Sequence, residues 1–303
     1  MKHEDIVKVK ARGFLRNRGT ECFSGRIVAP GTVFTAENFK DLGALAATYG
    51  NGRLICTSRL SVEIPGIPFE KIPEAEAFAA AHGLFFGGTG SKVRPIVACK
   101  GSTCVFGNAD THAIATRLHD EFYIGWSDVT LPHKFKIGIG GCPNSCMKPS
   151  LNDIGFEAHK TPVYDEALCR GCSACAVKNA CPMKAVTVDA RASIDRDKCI
   201  SCGVCIGKCP FSAVKQESET RFVVYIGGTW GKTARIGRPL SRLVSEDELS
   251  SILRKSLLFF RKYGEKKERF GLCVERIGFD RFESELFSDV LIREKDAILA
   301  REL

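Results

Sequence analysis

Cysteine is the residue type in this chain whose number and spacing point most directly to chemistry. Of the fifteen cysteines, Cys22, Cys56 and Cys273 stand alone, and the other twelve fall into four closely spaced groups. One four-iron cluster takes four thiolates, so twelve grouped cysteines match three such clusters. The charged start of the chain lacks an apolar secretory stretch, so we expect a cytoplasmic protein, in which grouped cysteines are more often metal ligands than disulfides.

The central segment carries two runs of four cysteines, each ending in Cys-Pro. The second run, Cys199-x2-Cys202-x2-Cys205-x3-Cys209, has the spacing of one half of a bacterial two-cluster ferredoxin, whose last cysteine ligates the cluster of the other run. The first run has five residues before its last cysteine instead of three. We predict two 4Fe–4S clusters with these ligand sets: Cys169, Cys172, Cys175 and Cys209; and Cys199, Cys202, Cys205 and Cys181. The alternative is a pair of structural zinc sites, which usually have two C-x2-C pairs farther apart.

Two further cysteine pairs lie upstream of this segment, Cys99-x4-Cys104 and Cys142-x3-Cys146. Four cysteines in two distant pairs could hold one more cluster. The alternative is that they are buried as small apolar side chains. The glycine and the proline beside the second pair argue against simple core packing.

The segment 131–137, Leu-Pro-His-Lys-Phe-Lys-Ile, is predicted to be a β-strand just before the second pair. Lys134 and Lys136 are two residues apart and therefore share one face of a strand. They could form an anion pocket, or they could belong to a solvated edge strand on which lysines discourage pairing. The formal net charge is +9, but no single element concentrates the basic residues, which disfavours a nucleic-acid binder.

Several short motifs in a fixed order resemble the siroheme sulfite and nitrite reductase family. The resemblance covers about residues 10–160 and 217–265, and the ferredoxin-like segment interrupts it. Independent motifs in the right order are more specific than any one of them. The motifs are Gly25-Arg26-Ile27-Val28-Ala29-Pro30-Gly31, the stretch from Tyr49 to Arg59, Arg94-Pro95 through Cys99, Lys134-Phe135-Lys136, and Gly141-Cys142-Pro143-Asn144-Ser145-Cys146.

The resemblance implies roles for individual residues. In that family the two cysteine pairs, here Cys99, Cys104, Cys142 and Cys146, bind a 4Fe–4S cluster, and the last cysteine also bridges to the siroheme iron. Cofactor binding is implied for Arg59, Asn144 and Cys146. Binding and protonation of the oxyanion are implied for four cationic residues, which are Arg26, Arg94, Lys134 and Lys136.

The implied activity is the siroheme-dependent, six-electron reduction of sulfite to sulfide. The expected cofactors are siroheme and three 4Fe–4S clusters, and electrons would enter through the ferredoxin-like segment from an external low-potential donor, a ferredoxin or a flavoprotein subunit. Fixed cations suit this task because they stabilise charge as each S–O bond breaks. The alternatives are a nitrite reductase that produces ammonia, a non-catalytic polyferredoxin electron carrier, and a zinc-containing nucleic-acid binder, which the cysteine spacing disfavours.

The predicted fold class is α+β, a siroheme sulfite reductase-like repeat with an inserted ferredoxin-like domain. Hydrophobic residues make up 44% and charged residues 26% of the chain, which fits a globular core and excludes a disordered chain. The expected domains are residues 1–160, 161–216 and 217–303. No apolar run approaches the roughly 20 residues that cross a membrane, so we expect no membrane span.

The apolar periodicity predicts helices over 35–49, 73–82 and 110–122, and a strand over 53–64. A capping-box pattern, Ser245 to Glu248, predicts the start of a core-facing helix. In two-repeat members of the family, the cations and the cysteines of one site come from opposite repeats. This chain has a single repeat with both sets, so we expect a homo-oligomer in which two copies complete each other's sites.

Overall fold

The computed structural model describes residues 3–302 of the chain. Over this range the chain forms ten α-helices and fourteen β-strands. The helices are α1 (His3–Ala11), α2 (Ala36–Tyr49), α3 (Ile72–Ala81), α4 (Thr111–Leu118), α5 (Ala176–Ala180), α6 (Glu248–Tyr263), α7 (Phe270–Ile277), α8 (Phe279–Phe287), α9 (Val290–Arg293) and α10 (Lys295–Ala300). The strands are β1 (Phe14–Arg16), β2 (Cys22–Val28), β3 (Ile55–Cys56), β4 (Val62–Pro68), β5 (Phe85–Phe86), β6 (Val97–Ala98), β7 (Ile137–Gly140), β8 (Ile154–His159), β9 (Pro162–Tyr164), β10 (Val186–Val188), β11 (Ala192–Ile194), β12 (Val214–Gln216), β13 (Arg221–Ile226) and β14 (Arg238–Pro239).

The chain divides into two compact units, each assembled from separated stretches. The first unit combines residues 3–97, 112–137 and 253–302, and the second combines residues 98–111 and 138–252. All twelve grouped cysteines belong to the second unit. The first unit contains the basic residues Arg26, Arg59, Arg94, Lys134 and Lys136.

A five-stranded antiparallel sheet organises the first unit. Its hydrogen-bonded order is β1-β2-β4-β3, and β5 also pairs with β2. Phe23, Ile27 and Ile64 of this sheet are fully buried in one cluster with Leu42 and Leu45 of α2. Burial of this apolar helix face against the sheet is the main favourable contribution to the stability of such a layer.

The helices predicted over 35–49 and 73–82 are confirmed as α2 and α3. A reciprocal cap begins α2, because Thr35 Oγ1 accepts a hydrogen bond from the Asn38 N–H at 3.1 Å and Asn38 Oδ1 accepts one from the Thr35 N–H at 3.0 Å. The helix ends after Tyr49, where the Gly50 N–H donates to the carbonyl oxygen of Ala46. Local sequence therefore determines where this helix begins and ends.

The continuous strand predicted over 53–64 is wrong, because β3 and β4 form an antiparallel hairpin within it. The Thr57 N–H donates to the Ser61 carbonyl oxygen at 2.9 Å, and the two hydroxyls of these residues hydrogen-bond at 2.7 Å. Leu60 adopts a left-handed conformation with φ of 55°. Polar side chains thus close a turn in place of an extended strand, and that turn contains Arg59.

The strand predicted over 131–137 is also largely wrong, since β7 begins only at Ile137. Pro132 lacks an N–H, and Phe135 is the residue of the segment that makes a bridge, parallel to Val93. The ring of Phe135 is fully buried and lies 4.9 Å from that of Phe270, centroid to centroid. Phe135 therefore anchors the segment in the first unit.

The helix predicted over 110–122 is present as α4, followed directly by a π-helical segment, His119–Ile124. Segments of this kind are rare and frequently lie at functional sites. In this one the hydroxyl of Tyr123 accepts a hydrogen bond from the N–H of Gly88 at 2.8 Å. Burial lowers the pKa of His119, whose ring stacks on that of Tyr123 at 4.8 Å.

A second five-stranded sheet, with the order β14-β13-β8-β7-β6, supports the second unit. Its longest pairing is antiparallel, between β13 and β8, with Arg221 opposite His159 and Ile226 opposite Ile154. Along the chain, β8 follows the outer cysteine pairs and directly precedes the ferredoxin-like segment.

Two small antiparallel ribbons form the ferredoxin-like segment. One pairs β10 with β11, and the other pairs β9 with β12, with Pro162 opposite Gln216. The second ribbon brings the beginning and the end of the segment side by side. Its small core contains Val177, Val186 and Val214.

The helix predicted after Ser245 is confirmed as α6. The Ser245 N–H donates to Glu248 Oε2 at 2.8 Å. The hydrogen bond from the Arg242 side chain, and to a smaller extent that from the Ser245 N–H, lowers the pKa of Glu248 to about 2. The predicted apolar stripe is buried at Leu249, Ile252, Leu253, Leu257 and Phe260. Among residues 3–302, no helix is both long enough and apolar enough to cross a membrane.

Candidate functional site

The four cysteines of the two outer pairs converge in the second unit. The thiols of Cys99, Cys104 and Cys146 lie close enough to Cys142 to act on its ionisation. Burial is the largest cause that raises the pKa of the Cys142 thiol; the N–H of Asn144 lowers it, and the three neighbouring thiols raise it further. Four acidic groups around a buried position favour a cationic metal centre, which binds them as thiolates.

The loop around Cys99 is shaped for a sulfur ligand. The Gly141 N–H donates to Cys99 Sγ at 3.1 Å, and the Cys99 N–H donates to the Ile139 carbonyl oxygen at 3.1 Å. A Cβ atom on Gly141 would lie 3.3 Å from Cys99 Sγ and 3.0 Å from the Cα of Gly101. Glycine therefore permits this close approach, and an N–H aimed at the sulfur suits a thiolate bound to iron.

Cys146 differs from Cys142 in its exposure. Cys146 and Asn144 are exposed, whereas Cys142 is buried. The backbone between the two cysteines is tightly turned, because the Ser145 N–H donates to the Cys142 carbonyl oxygen at 3.1 Å and Ser145 has φ of 53°. Within this group, Cys146 is thus the more accessible of the two sulfurs to a large macrocycle.

The eight cysteines of the ferredoxin-like segment surround two separate cavities. Each cavity is lined by three cysteines of one run and the last cysteine of the other run. The sulfurs of one cavity belong to Cys169, Cys172, Cys175 and Cys209, and those of the other to Cys181, Cys199, Cys202 and Cys205. This is the grouping that an exchange of fourth ligands requires.

Hydrogen-bond donors and burial act on the thiols of these two groups. The N–H groups of Ala192 and Ala185 donate to the sulfurs of Cys169 and Cys181 at 3.4 and 3.3 Å. The N–H of Ala192 is the largest cause that lowers the pKa of Cys169. Burial, followed by the thiols of its group, raises the pKa of Cys205 to about 11.

Both groups differ from a single-ion site. Within residues 3–302, no three His, Cys, Asp or Glu side chains are grouped as ligands of one metal ion. A four-iron cube spreads its four thiolates farther apart than one zinc ion does. The two cavities each bring four cysteines together, and the thiols of the outer pairs form a third group of four.

Arg26 and Arg94 of the first unit share one backbone acceptor, the carbonyl oxygen of Gly88. Arg26 Nη1 donates to the carbonyl oxygen of Gly88 at 2.9 Å, and Arg94 Nη1 donates to the same oxygen. Glu63 Oε1 accepts two further bonds from Arg26, at 2.9 and 2.6 Å. Burial, followed by the charge of Arg26, lowers the pKa of Arg94 to about 10. Arg94 Nε is buried and has no hydrogen-bond partner among the described residues, so this arginine fits an anionic ligand.

The other three candidate cations, Lys134, Lys136 and Arg59, lie on the segment around Phe135 and on the β3–β4 turn. Lys134 and Lys136 are half-buried on either side of the fully buried Phe135. Arg59 Nη2 donates to the carbonyl oxygens of Pro95 and Ile137 at 2.6 and 3.3 Å. The Arg59 guanidinium thus contacts the backbone of Ile137, the last residue of the segment that carries the lysines, and that of Pro95.

Sequence reasoning missed three residues that position the arginines, namely Gly88, Tyr123 and Glu63. Gly88 has φ of 75°, and a Cβ atom there would lie 3.0 Å from Pro95 Cγ and 3.1 Å from Arg26 Cδ. The adjacent glycines at 87 and 88 were the available sign of a close backbone approach. Tyr123 and Glu63 come from distant stretches, and their spacing carries no such sign.

Comparison with known proteins gives two family matches. Residues 89–293 match the family described as the nitrite and sulphite reductase 4Fe-4S domain. Residues 16–82 match the family described as the nitrite/sulfite reductase ferredoxin-like half domain, which is a different part of the chain from the ferredoxin-like segment at 161–216. The first stretch contains both outer cysteine pairs, both ferredoxin-like runs, Arg94 and the two lysines. The second contains Arg26 and Arg59.

Two curated relatives are named as sulfite reductases. The coenzyme F420-dependent sulfite reductase of Methanocaldococcus jannaschii is 33% identical over 85% of this chain, which spans 41% of that relative's length. A subunit of the anaerobic sulfite reductase of Salmonella typhimurium is 28% identical over 98% of this chain and 93% of its own length.

Among solved structures, dissimilatory sulfite reductase I matches 88% of this chain and 69% of its own with a TM-score of 0.70 and 21% identity, which supports the fold. The α+β fold class and the family resemblance predicted from sequence are thereby confirmed. From the match over residues 89–293, the chain belongs to the nitrite and sulphite reductase family of oxidoreductases.

Proposed function

We propose that this chain catalyses the six-electron reduction of sulfite to sulfide with siroheme and iron–sulfur clusters. The observation that carries the proposal is the convergence of the thiols of Cys99, Cys104, Cys142 and Cys146 inside the stretch that matches the reductase family. Similarity to relatives named as sulfite reductases favours sulfite over nitrite as the substrate.

The cysteines of the outer pairs hold the catalytic cofactors. Cys99, Cys104, Cys142 and Cys146 would hold a 4Fe–4S cluster. The family resemblance implies that Cys146, Asn144 and Arg59 would hold siroheme. When bound, the cluster and siroheme supply the electrons and the iron at which sulfite is reduced. The Gly141 N–H on Cys99 Sγ orients that ligand and stabilises its negative charge.

The cations of the first unit bind the substrate. Arg94 offers a planar fork whose partly desolvated charge attracts the oxygens of sulfite more strongly than a hydrated charge does. Arg26, fixed by Glu63 and Gly88, adds positive charge beside it. Lys134 and Lys136 are compact ammonium donors that bind the oxygens of sulfite. They deliver protons to these oxygens, which leave as water.

The ferredoxin-like segment, residues 161–216, is the electron inlet between reductase portions 1–160 and 217–303. Its two groups of four cysteines each hold one 4Fe–4S cluster, which makes three clusters in all. The three clusters and siroheme are four single-electron carriers and cannot store the six electrons of one turnover. An external low-potential donor, a ferredoxin or a flavoprotein subunit, therefore reduces them again during each turnover. Two copies of the chain pair, so that Lys134 and Lys136 of one copy serve the siroheme of the other.

Anaerobic turnover with reduced viologen tests this function. The purified holoenzyme is supplied with sulfite or nitrite while iron, sulfide and ammonia are quantified. We expect stoichiometric sulfide from sulfite and a siroheme absorption band distinct from that of iron–sulfur clusters. Iron–sulfur absorption without a siroheme band, and no sulfide, would leave an electron carrier; faster conversion of nitrite would make the chain a nitrite reductase.

A further inference from the structure

Asn108 lies between two cysteine-bearing loops of the second unit. Its N–H donates to the carbonyl oxygen of Gly141 at 2.7 Å, and Gly141 is covalently joined to Cys142. Its side-chain Nδ2 donates to the carbonyl oxygen of Cys202 at 3.3 Å. One residue therefore hydrogen-bonds both to the loop of the outer cysteine pairs and to the loop of the second ferredoxin-like run.

The approach of these two loops is built into the backbone. Gly203 has φ of 76°, and a Cβ atom there would lie 3.1 Å from Asn108 Oδ1 and 3.0 Å from the Cβ of Lys160. Lys160 forms a parallel bridge with Cys202, and its N–H donates to the Ser201 carbonyl oxygen at 2.9 Å. Glycine at 203 therefore favours the close approach of the Cys202 loop to Asn108.

We propose that Asn108 is a positioning residue that couples the cluster held by Cys181, Cys199, Cys202 and Cys205 to the cluster held by the outer pairs. This inference rests on the proposed function. The route runs from the Cys202 carbonyl through the Asn108 side chain and backbone to the Gly141 carbonyl and on to Cys142. It crosses two hydrogen bonds and is otherwise covalent.

The route matters because electronic coupling falls steeply across empty space and less steeply along bonds. When both clusters are bound, Asn108 would link them for one-electron transfer, in which the second-run cluster would be oxidised by one electron and the outer-pair cluster reduced by one. No bond forms or breaks, and no proton moves. The contact with Cys202 assigns the immediate donor role to the second-run group and makes the Cys169 group the earlier carrier.

The chain offers a matched control for Asn108. Thr220 Oγ1 donates to the backbone carbonyl oxygen of Asn108 at 2.9 Å, outside the proposed route. Thr220→Val removes one anchor of the same residue but keeps both hydrogen bonds of the route. A residue that only holds the loop in place would be affected similarly by either substitution.

Laser-flash photoreduction of the anaerobic holoenzyme tests the route. Iron–sulfur bleaching and the siroheme band are followed separately, and midpoint potentials are measured by EPR-monitored titration. Mutation of an outer-sphere partner of a metal site typically lowers metal affinity or activity about 10- to 100-fold. By analogy, we expect Asn108→Ala to slow siroheme reduction about tenfold or more. We expect unchanged midpoint potentials in this variant and an unchanged rate in Thr220→Val.

Two results would overturn the inference: an unaltered rate in Asn108→Ala, or equal slowing in Thr220→Val. If Asn108→Ala fails to load its clusters, Asn108→Leu, which fills the same space without a donor, must show the same slowing. Absence of a siroheme band in the unsubstituted protein would instead contradict the proposed function, so the two failures are distinguishable.

Discussion

Arg26 and Arg94 donate hydrogen bonds to one shared acceptor, the carbonyl oxygen of Gly88. Two like charges held this close repel each other, and the charge of Arg26 is the second cause, after burial, that lowers the pKa of Arg94. Glu63 pairs with Arg26 at 2.6 Å. A bound anion would relieve the remaining repulsion, and for this reason we assign the oxygens of sulfite to Arg94.

Arg94→Ala should lower kcat/KM for sulfite by roughly 100-fold or more, because one preorganised donor to a developing negative charge is worth about 2.7–4 kcal/mol. The measurement is steady-state sulfide production with reduced viologen. Arg16→Ala is the matched control, since Arg16 is an exposed arginine paired with Glu21. Unchanged kinetics in an Arg94→Ala protein with its full complement of siroheme would disprove the assignment.

Lys136→Ala should lower kcat about 10²- to 10⁴-fold, the usual contribution of a positioned proton donor. The absorption spectrum should stay the same, because no cofactor ligand is lost. Rate and spectrum are recorded on the same sample, with Lys40→Ala as the control, an exposed lysine paired with Glu37. A changed spectrum would mean that Lys136 supports cofactor binding and does not act on the substrate.

The helix α2 and the β3–β4 hairpin differ in how well the sequence predicts them. The limits of α2 were predictable because Thr35, Asn38 and Gly50 lie within or next to the helix and cap it locally. The break between β3 and β4 was not, since Thr57 and Ser61 close the turn through hydrogen bonds that apolar periodicity does not encode. Both features are local in the sequence, but apolar periodicity indicates the helix and gives no sign of the hydroxyl contact that closes the turn.

The candidate site shows the same limit. Cysteine spacing predicts two ligand sets, each with three cysteines of one run and the last cysteine of the other, and the same sets line the two cavities. The environment of the arginines was predictable only at Gly88, where two adjacent glycines indicate a close backbone approach. Tyr123 and Glu63 reach Gly88 and Arg26 only after β2, β4 and the π-helical segment have packed, and their spacing in the sequence gives no sign of this.

Cys146→Ser should change the absorption spectrum itself, because a serine oxygen is a weaker ligand for iron than a thiolate and the link between cluster and siroheme would be altered. Visible absorption and EPR spectra of the anaerobic protein measure this. Cys56→Ser is the matched control, since Cys56 is exposed and lies outside the four groups. If both variants keep the spectrum of the unsubstituted protein, Cys146 is not the bridging ligand.

Active holoenzyme should sediment as a dimer or a larger assembly, because a single-repeat chain is proposed to lend Lys134 and Lys136 to a second copy. Analytical ultracentrifugation under anaerobic turnover conditions measures the assembly state. Mixing Lys136→Ala with Cys146→Ser should restore part of the activity that each variant lacks, since one mixed site per dimer is intact. A fully active monomer would refute the shared site.

The exchange of fourth ligands between the two runs can be tested by pairing substitutions. Because Cys209 lines the same cavity as Cys172, Cys209→Ser and Cys172→Ser should disturb the same cluster. Their double variant should therefore lose little more EPR signal and iron than either single variant, which is the non-additivity expected for groups that act as one unit. Cys209→Ser combined with Cys202→Ser, whose sulfur lines the other cavity, should disturb both clusters and lose about as much as the two single variants together. The reverse pattern, additive with Cys172 and non-additive with Cys202, would mean that each run supplies all four ligands of its own cluster.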